Sequence, residues 1–330
     1  MGTFLVGARG AASRALAATR IRLRQPRSRI VAQPCHGREQ PGDGTFDAGR
    51  AWDLLARQCR WGPRSPAGAG RAPTRRLILD RLAACADEVA VQQWRQPVDR
   101  GVGAGRRYPM TNALARFGPG LGPPDLLLAT HWDTRPVADE DPDVTRRGTP
   151  PPGANDGGSG VAVLLEVARA LRVERPSRAV ALAFLDGEDL GEHCYGGRML
   201  AAGLRRRDGR RWRAGRAVVI DMIGGEPLRC TTERNSLDGA PDLWRRVHEC
   251  AADLGLDKHF HGPARRITDD HVYLARAGLP SVLLIDFSYP YRHTGSDTVD
   301  RCSPESLAVI GTLLLRLVRD QVALPPPARR

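Results

Sequence analysis

The stretch Gly153-Ala154-Asn155-Asp156-Gly157-Gly158-Ser159-Gly160 runs directly into Val161-Ala162-Val163-Leu164-Leu165-Glu166-Val167-Ala168-Arg169-Ala170-Leu171. The second half reads as a buried helix, because its apolar residues recur at helical spacing and Ala and Leu are good helix formers. The first half is too rich in glycine for regular structure. Its glycines supply the backbone freedom and close approach that a loop needs where it bends around a site. Asp156 stands in this loop just ahead of the helix, where an aspartate commonly serves as a cap. Motifs elsewhere in the chain point to a second use for it.

On either side of this stretch lie short apolar runs at residues 126–130, 179–185, 217–220 and 281–285. Runs of that length without alternation suit strands covered on both faces. Between and after them, helical spacing appears at 160–171, 197–202, 242–255, 271–277 and 304–322. Upstream, residues 51–58 and 74–86 read as helices, and 89–94 and 110–117 as strands. The alternation predicts an α/β fold: a three-layer α/β/α sandwich around a mostly parallel mixed sheet, with no internal repeat.

The chain has 330 residues, of which 41% are hydrophobic and 26% charged, an ordinary balance for a soluble globular protein with ample core. No apolar run approaches the ~20 residues of a membrane span. The formal net charge is +13, but eight arginines precede the first acidic residue, Glu39, so the rest carries only +5. Basicity concentrated in this way, without a helix-turn-helix, zinc-finger or aromatic-basic pattern, gives no reason to expect nucleic-acid binding. Seven cysteines, none in a CxxC pair, imply no disulfide framework. Residues 1–45 read as a basic tail, disordered or resembling a targeting segment, ahead of one catalytic domain at 46–330. The expected compartment is the cytoplasm, with export or organelle import as the alternative.

Each predicted strand or glycine loop is followed at once by titratable residues. They are His131-Trp132-Asp133, Asn155-Asp156, Asp186-Gly187-Glu188-Asp189, Asp221-Met222-Ile223-Gly224 and Arg292-His293-Thr294. Ligand sites in such sheets form beyond the carboxyl ends of the strands. A His and an Asp two apart can act as a metal ligand and its orienting partner. Carboxylates gathered there repel one another unless a cation sits among them, and a set of imidazoles and carboxylates suits zinc. Two sites sharing one carboxylate suit two metals ~3.5–4 Å apart.

In this order the motifs resemble the zinc aminopeptidase clan, and within it the glutaminyl cyclases, particularly bacterial relatives of the animal enzymes. The resemblance spans about residues 46–322. It is carried by Thr130-His131-Trp132-Asp133-Thr134-Arg135-Pro136, Ala138-Asp139-Glu140-Asp141-Pro142, the glycine loop, Asp186-Gly187-Glu188-Asp189, Tyr195-Gly196-Gly197-Arg198 and Thr268-Asp269-Asp270-His271. It implies a zinc aminopeptidase-like fold. It implies that Asp156, Asp189 and His293 hold the zinc that cyclases retain, and that His131 and Asp221 match the ligands of the second zinc of dinuclear aminopeptidases. Glu188 matches the general acid/base, Asp221 and Asp270 the acidic pair beside it, and Asp133 the residue that orients His131. The implied substrates are peptide or protein N-termini. The implied reaction is cyclisation of an N-terminal glutaminyl residue to pyroglutamate with release of ammonia, using one zinc. The alternative is an aminopeptidase that removes N-terminal residues with two. A non-catalytic binding module would have lost Glu188 or a ligand, and this chain keeps them all. The departures lie in the pocket wall. Arg292 stands where the cyclases have Trp, and the segment between Asp189 and Tyr195 is short and lacks Trp. Trp132 and Tyr291 are the candidates to replace that wall.

Overall fold

The computed structural model describes residues 29–30, 43–120, 122–206 and 209–320. The chain opens with β1 (Arg29–Ile30), α1 (Ala48–Trp61) and α2 (Arg71–Cys85), then β2 (Glu88–Val98), β3 (Arg106–Phe117) and β4 (Leu126–His131). After the glycine loop come α3 (Gly160–Val173), β5 (Val180–Leu185), α4 (Tyr195–Leu204) and β6 (Arg216–Asp221). A smaller unit follows: β7 (Thr231–Glu233), α5 (Arg234–Gly239), α6 (Pro241–Asp253) and β8 (Gly262–Arg265). The described chain closes with α7 (Asp270–Arg276), β9 (Ser281–Ile285) and α8 (Pro304–Arg319).

Among the described residues the main sheet has the order β1-β2-β3-β5-β4-β6-β9. The pairs β5–β4, β4–β6 and β6–β9 are parallel, while β1, β2 and β3 join as antiparallel strands at one edge. Every residue of β4, β5 and β9 is buried. That is why these strands read as unbroken apolar runs: both faces are covered, so no polar face exists to alternate with. Their side chains nevertheless divide by the two-residue period of a strand. Leu126, Leu128, Leu182 and Phe184 join a core shared with α1, α2, α3 and α8, whereas Leu127, Ala129, Ala183 and Leu185 pack with Leu200 and Leu204 of α4 and Leu274 of α7. Two cores on opposite faces of one sheet make the predicted three-layer sandwich.

The predicted helices and strands all form, most of them a few residues longer than read. Nearly all of the predicted 1–45 tail lies outside the described residues; within it, Arg29–Ile30 pairs with Ala90 and Val91 at the edge of the sheet. No helix among the described residues is long and apolar enough to cross a membrane.

The chain steps from β4 to β5 on one side, then crosses to β6 on the other side of β4. Connections therefore diverge above the carboxyl ends of β4, β5 and β6, leaving a crevice where a site can form.

The small unit containing β7, β8 and α5 was not predicted. Its anchor is Glu233, fully buried, which caps α5 through the amides of Asn235 and Ser236 and accepts from the amide of Ile267. The same carboxylate meets His271 Nε2 at 3.1 Å and so fixes the start of α7. Burial opposes ionisation of Glu233, but His271 and these donors hold its carboxyl down to about 2. A group depressed in this way stabilises the fold fully above its unfolded value near 4.5 and loses that contribution as pH falls toward 2. Up to roughly 3 kcal/mol is involved. Glu233→Gln is expected to lower stability at neutral pH by about 1–3 kcal/mol and to flatten the stability profile between those two pH values. Denaturant titrations of both proteins across that range check it; parallel profiles would refute the assignment.

Candidate active site

The glycine loop is bent by necessity. Gly153 and Gly157 have φ of 67° and 77°, a region that L side chains rarely adopt. A Cβ on Gly157 would meet the backbone oxygen of Asp133 and the ring of His131, and one on Gly153 would meet Thr134 and Arg64. The loop can approach the β4 exit only because those atoms are missing. Asp156 itself is extended, with φ −78° and ψ 101°, and α3 starts four residues later, so its carboxylate is not a helix cap.

Three buried groups hold this loop. Asp297 accepts from the amides of Asn155 (2.8 Å) and Asp156 (3.1 Å) and from the Tyr289 hydroxyl (2.8 Å). Asn155 Oδ1 accepts from the amide of Gly224 at 2.7 Å, tying the loop to the β6 exit. Arg64, with no exposed surface, donates to the carbonyls of Trp132 (3.0 Å), Pro152 (3.1 Å), Gly153 and Asp156 (3.0 Å). One guanidinium thus ties the β4 exit to the glycine loop. Sequence reasoning missed Arg64 and Asp297, because neither carries a spacing signal; their partners are up to 142 residues away.

With the loop placed, five predicted ligands converge at the carboxyl end of the sheet. His131 Nε2 lies 3.2 Å from Asp156 Oδ1 and 2.9 Å from Asp221 Oδ1. His293 Nε2 lies 3.5 Å from Asp156 Oδ2 and 3.1 Å from Asp189 Oδ1. Asp156 therefore turns one oxygen to each histidine, and the residues form two triads that share it. Ligand atoms about 3.3–3.5 Å apart are the edges of a tetrahedron with arms of ~2.0–2.2 Å, the zinc–nitrogen and zinc–oxygen distances. The oxygen–nitrogen donor set, spacings of 2.9–3.5 Å that reach this edge length or fall slightly short of it, and a buried Asp189 Oδ2 without a protein partner fit a metal. His131, Asp156 and Asp221 could hold one ion, and Asp156, Asp189 and His293 another.

Asp133 faces His131 Nδ1, as expected, at ion-pair rather than hydrogen-bond distance. Its Oδ1 is 3.6 Å from His131 Nδ1 and accepts instead from the Glu188 amide at 3.1 Å, while Oδ2 meets the Asp189 amide at 3.3 Å. It joins the β4 exit to the β5 exit. The outer nitrogen of the other histidine, His293 Nδ1, faces Glu140 at 3.1 Å.

Glu188 lines the same cavity but belongs to neither triad that contains Asp156. Burial, reinforced by the charges of Asp189 and Asp269, pushes its proton affinity well above the usual range. Burial likewise raises Asp221 to about 7 against the pull of His131. Burial also opposes charge on Asp156, but His131 and His293 overcome it and keep that carboxyl ionised. Adjacent acids thus have opposite preferences, the arrangement that lets one bind metal while another moves protons.

The expectation for Asp270 needs correcting. Its Oδ1 accepts from the Gly197 amide at 3.0 Å, inside the α4–α7 contact. The cavity is lined by the preceding residue, Asp269, which lies with Cys194 beside Glu188. The expected replacement wall is also different. Trp132 is 1% exposed, donates to the Thr111 carbonyl and lies under Arg71, and Tyr291 packs on Tyr289. The aromatic residue that does line the cavity is Phe287, with the Arg292 guanidinium 4.6 Å above its ring.

Backbone strain marks the same place. Among the described residues, non-glycine residues with positive φ are His193, Cys194, Met222 and His293, and three of these line the cavity. Such conformations cost of order 1–3 kcal/mol each and gather at functional sites.

The model of peptidase family M28 matches residues 112–318, which include every residue of both triads. An aminopeptidase, YwaD of Bacillus subtilis, is 26% identical over 208 residues, covering 60% of this chain and 42% of that protein. The chain thus spans less than half the length of that relative. A zinc-dependent exopeptidase from Parabacteroides distasonis superposes with a TM-score of 0.76 at 29% identity, covering 84% of this chain and 99% of that one. A glutaminyl cyclase from Bacteroides thetaiotaomicron does so with a TM-score of 0.75 at 29% identity, covering 84% and 98%.

Proposed function

The chain belongs to peptidase family M28, and on that premise we propose that it cyclises N-terminal glutaminyl residues of peptides to pyroglutamate and releases ammonia. The observation behind an acid–base mechanism at a metal is Glu188 standing beside the Asp156–Asp189–His293 triad with a raised proton affinity, and it serves cyclisation and hydrolysis alike. Similarity to solved glutaminyl cyclases supports the choice of reaction. Zinc, when bound by Asp156, Asp189 and His293, supplies Lewis-acid polarisation of the substrate's side-chain amide carbonyl. The chain's own groups do the rest. Glu188 takes a proton from the α-amine as its nitrogen attacks the γ-carbonyl carbon. It returns that proton to the amide nitrogen as the carbon–nitrogen bond breaks and ammonia leaves. One bond forms, one breaks, and no water is consumed.

The count of one zinc follows from the cyclase reading. Both triads pair a histidine with a carboxylate, His131 with Asp221 at 2.9 Å and His293 with Asp189 at 3.1 Å, and each holds an unpartnered buried atom, His131 Nδ1 and Asp189 Oδ2. The second reading, hydrolysis by an aminopeptidase with two zincs, is favoured by the presence of all five ligand residues. There Glu188 takes the proton of the attacking water. Product identity separates the two. Incubated with a Gln-initiated and a Leu-initiated peptide, the zinc-loaded chain is expected to release ammonia and pyroglutamyl peptide from the first and nothing from the second. Free leucine and a shortened peptide would overturn the cyclase reading in favour of the hydrolase.

A further inference from the structure

The cavity beside the triads encloses about 300 Å³, and three arginines, Arg135, Arg266 and Arg292, stand in its lining among the carboxylates. Arg135 is 8% exposed; its Nε and Nη2 are locked on the two oxygens of Asp139 at 2.5 and 2.6 Å. That leaves Nη1 buried, without an acceptor, 3.9 Å from Asp189 Oδ1. Arg292 is held by one nitrogen only and stays 25% exposed. Its Nη2 contacts both oxygens of Glu140 at 2.7 and 2.8 Å, and its guanidinium lies over the Phe287 ring. Glu140 is shared, because His293 Nδ1 also meets it at 3.1 Å. Arg266, also on the rim, is committed to Asn235 and Asp238.

We propose that Arg135 and Arg292 form a subsite for a carboxylate carried by the second residue of the substrate. The inference rests on the reading that a peptide N-terminus enters this cavity. The Arg135 guanidinium, forked on Asp139, is a preorganised donor, and Arg292 over Phe287 adds a second one. An orphaned buried N–H beside the triad is satisfied when an oxygen acceptor arrives. Arg292 adjoins the ligand His293 in the chain, so a group bound there sits about one residue from the reacting end. The carboxylate can come from an acidic side chain or from the free α-carboxyl group of a dipeptide.

The test measures binding to zinc-loaded Glu188→Gln by competition against a fluorescent Gln-Glu peptide, which separates recognition from turnover. The competitors are the amides of Gln-Glu, Gln-Gln and Gln-Lys, with Gln-Ala as free acid and as amide for the second source. Gln-Glu amide is expected to bind roughly 5- to 20-fold more tightly than Gln-Gln amide, with Gln-Lys weakest. A similar advantage of Gln-Ala acid over its amide would assign the α-carboxyl group as a further source. Adding Arg292→Gln should remove the advantage, and Arg292→Glu should invert it in favour of Gln-Lys, each compared on chains loaded with zinc to the same content. Equal affinities for the Glu, Gln and Lys peptides, or a preference that survives Arg292→Glu, would overturn the proposal. If these preferences appear while neither pyroglutamate nor a free amino acid forms in the product assay, the functional reading fails and the subsite stands.

Discussion

Glu188→Gln is expected to lower turnover by about 10²–10⁴-fold, the usual contribution of general acid–base catalysis, and to leave zinc content almost unchanged. Glutamine keeps the shape of the side chain but cannot accept a proton. The ligands Asp156, Asp189 and His293 remain, and the amide of residue 188 still meets Asp133. The expectation holds for cyclisation and for hydrolysis, because in both the same carboxylate moves the proton. Turnover and metal stoichiometry measured on one preparation check it. Near-full activity, or loss of zinc with the substitution, would remove Glu188 from the role assigned to it.

The larger effect is expected at Asp156. Its two oxygens face the two histidines, so Asp156→Ala removes a ligand from both triads at once. Disturbing residues that merely support metal ligands already costs about 10–100-fold in metal affinity or activity, and loss of a shared ligand should exceed that. Activity should fall with the metal to the level of a chelated enzyme. The loop itself should stay in place. The amide of residue 156 is held by Asp297 and its carbonyl by Arg64, and neither contact involves the side chain that is removed. Loss of metal from a folded chain is therefore the specific expectation.

Much of this site could be read from the sequence because burial on both faces leaves strands such as Leu126–His131 and Val180–Leu185 as apolar runs that end abruptly in polar residues. The ends of those runs are the carboxyl edge of the sheet, which accounts for His131, Asp189 and Asp221; Asp156 and His293 stand in later loops, and the ligand roles of all five came from the family resemblance. Where the reading failed, the deciding interaction was short in sequence but set by phase, or set by distant partners. Asp269 and Asp270 are adjacent acids. Asp269 is the extended residue that caps α7 and Asp270 is its first helical residue, and that one step turns one carboxylate to the cavity and the other to Gly197. Trp132 and a cavity-wall Trp look the same in a sequence; burial against Thr111 and Arg71 distinguishes them. Strands β7 and β8 are three and four residues long with little apolar content, and α5 depends on the Glu233 cap, so none carries a periodic signal.

One carboxylate, Asp156, joins two triads able to hold metal at the carboxyl end of the sheet. Mass-spectrometric counting of zinc per folded chain, on wild-type protein and Asp156→Ala prepared side by side, tests it most directly. Bound zinc is expected in the wild type, one ion for the cyclase reading, and almost none in a variant whose circular dichroism and compactness are unchanged. A folded Asp156→Ala chain that kept the wild-type zinc content would contradict it.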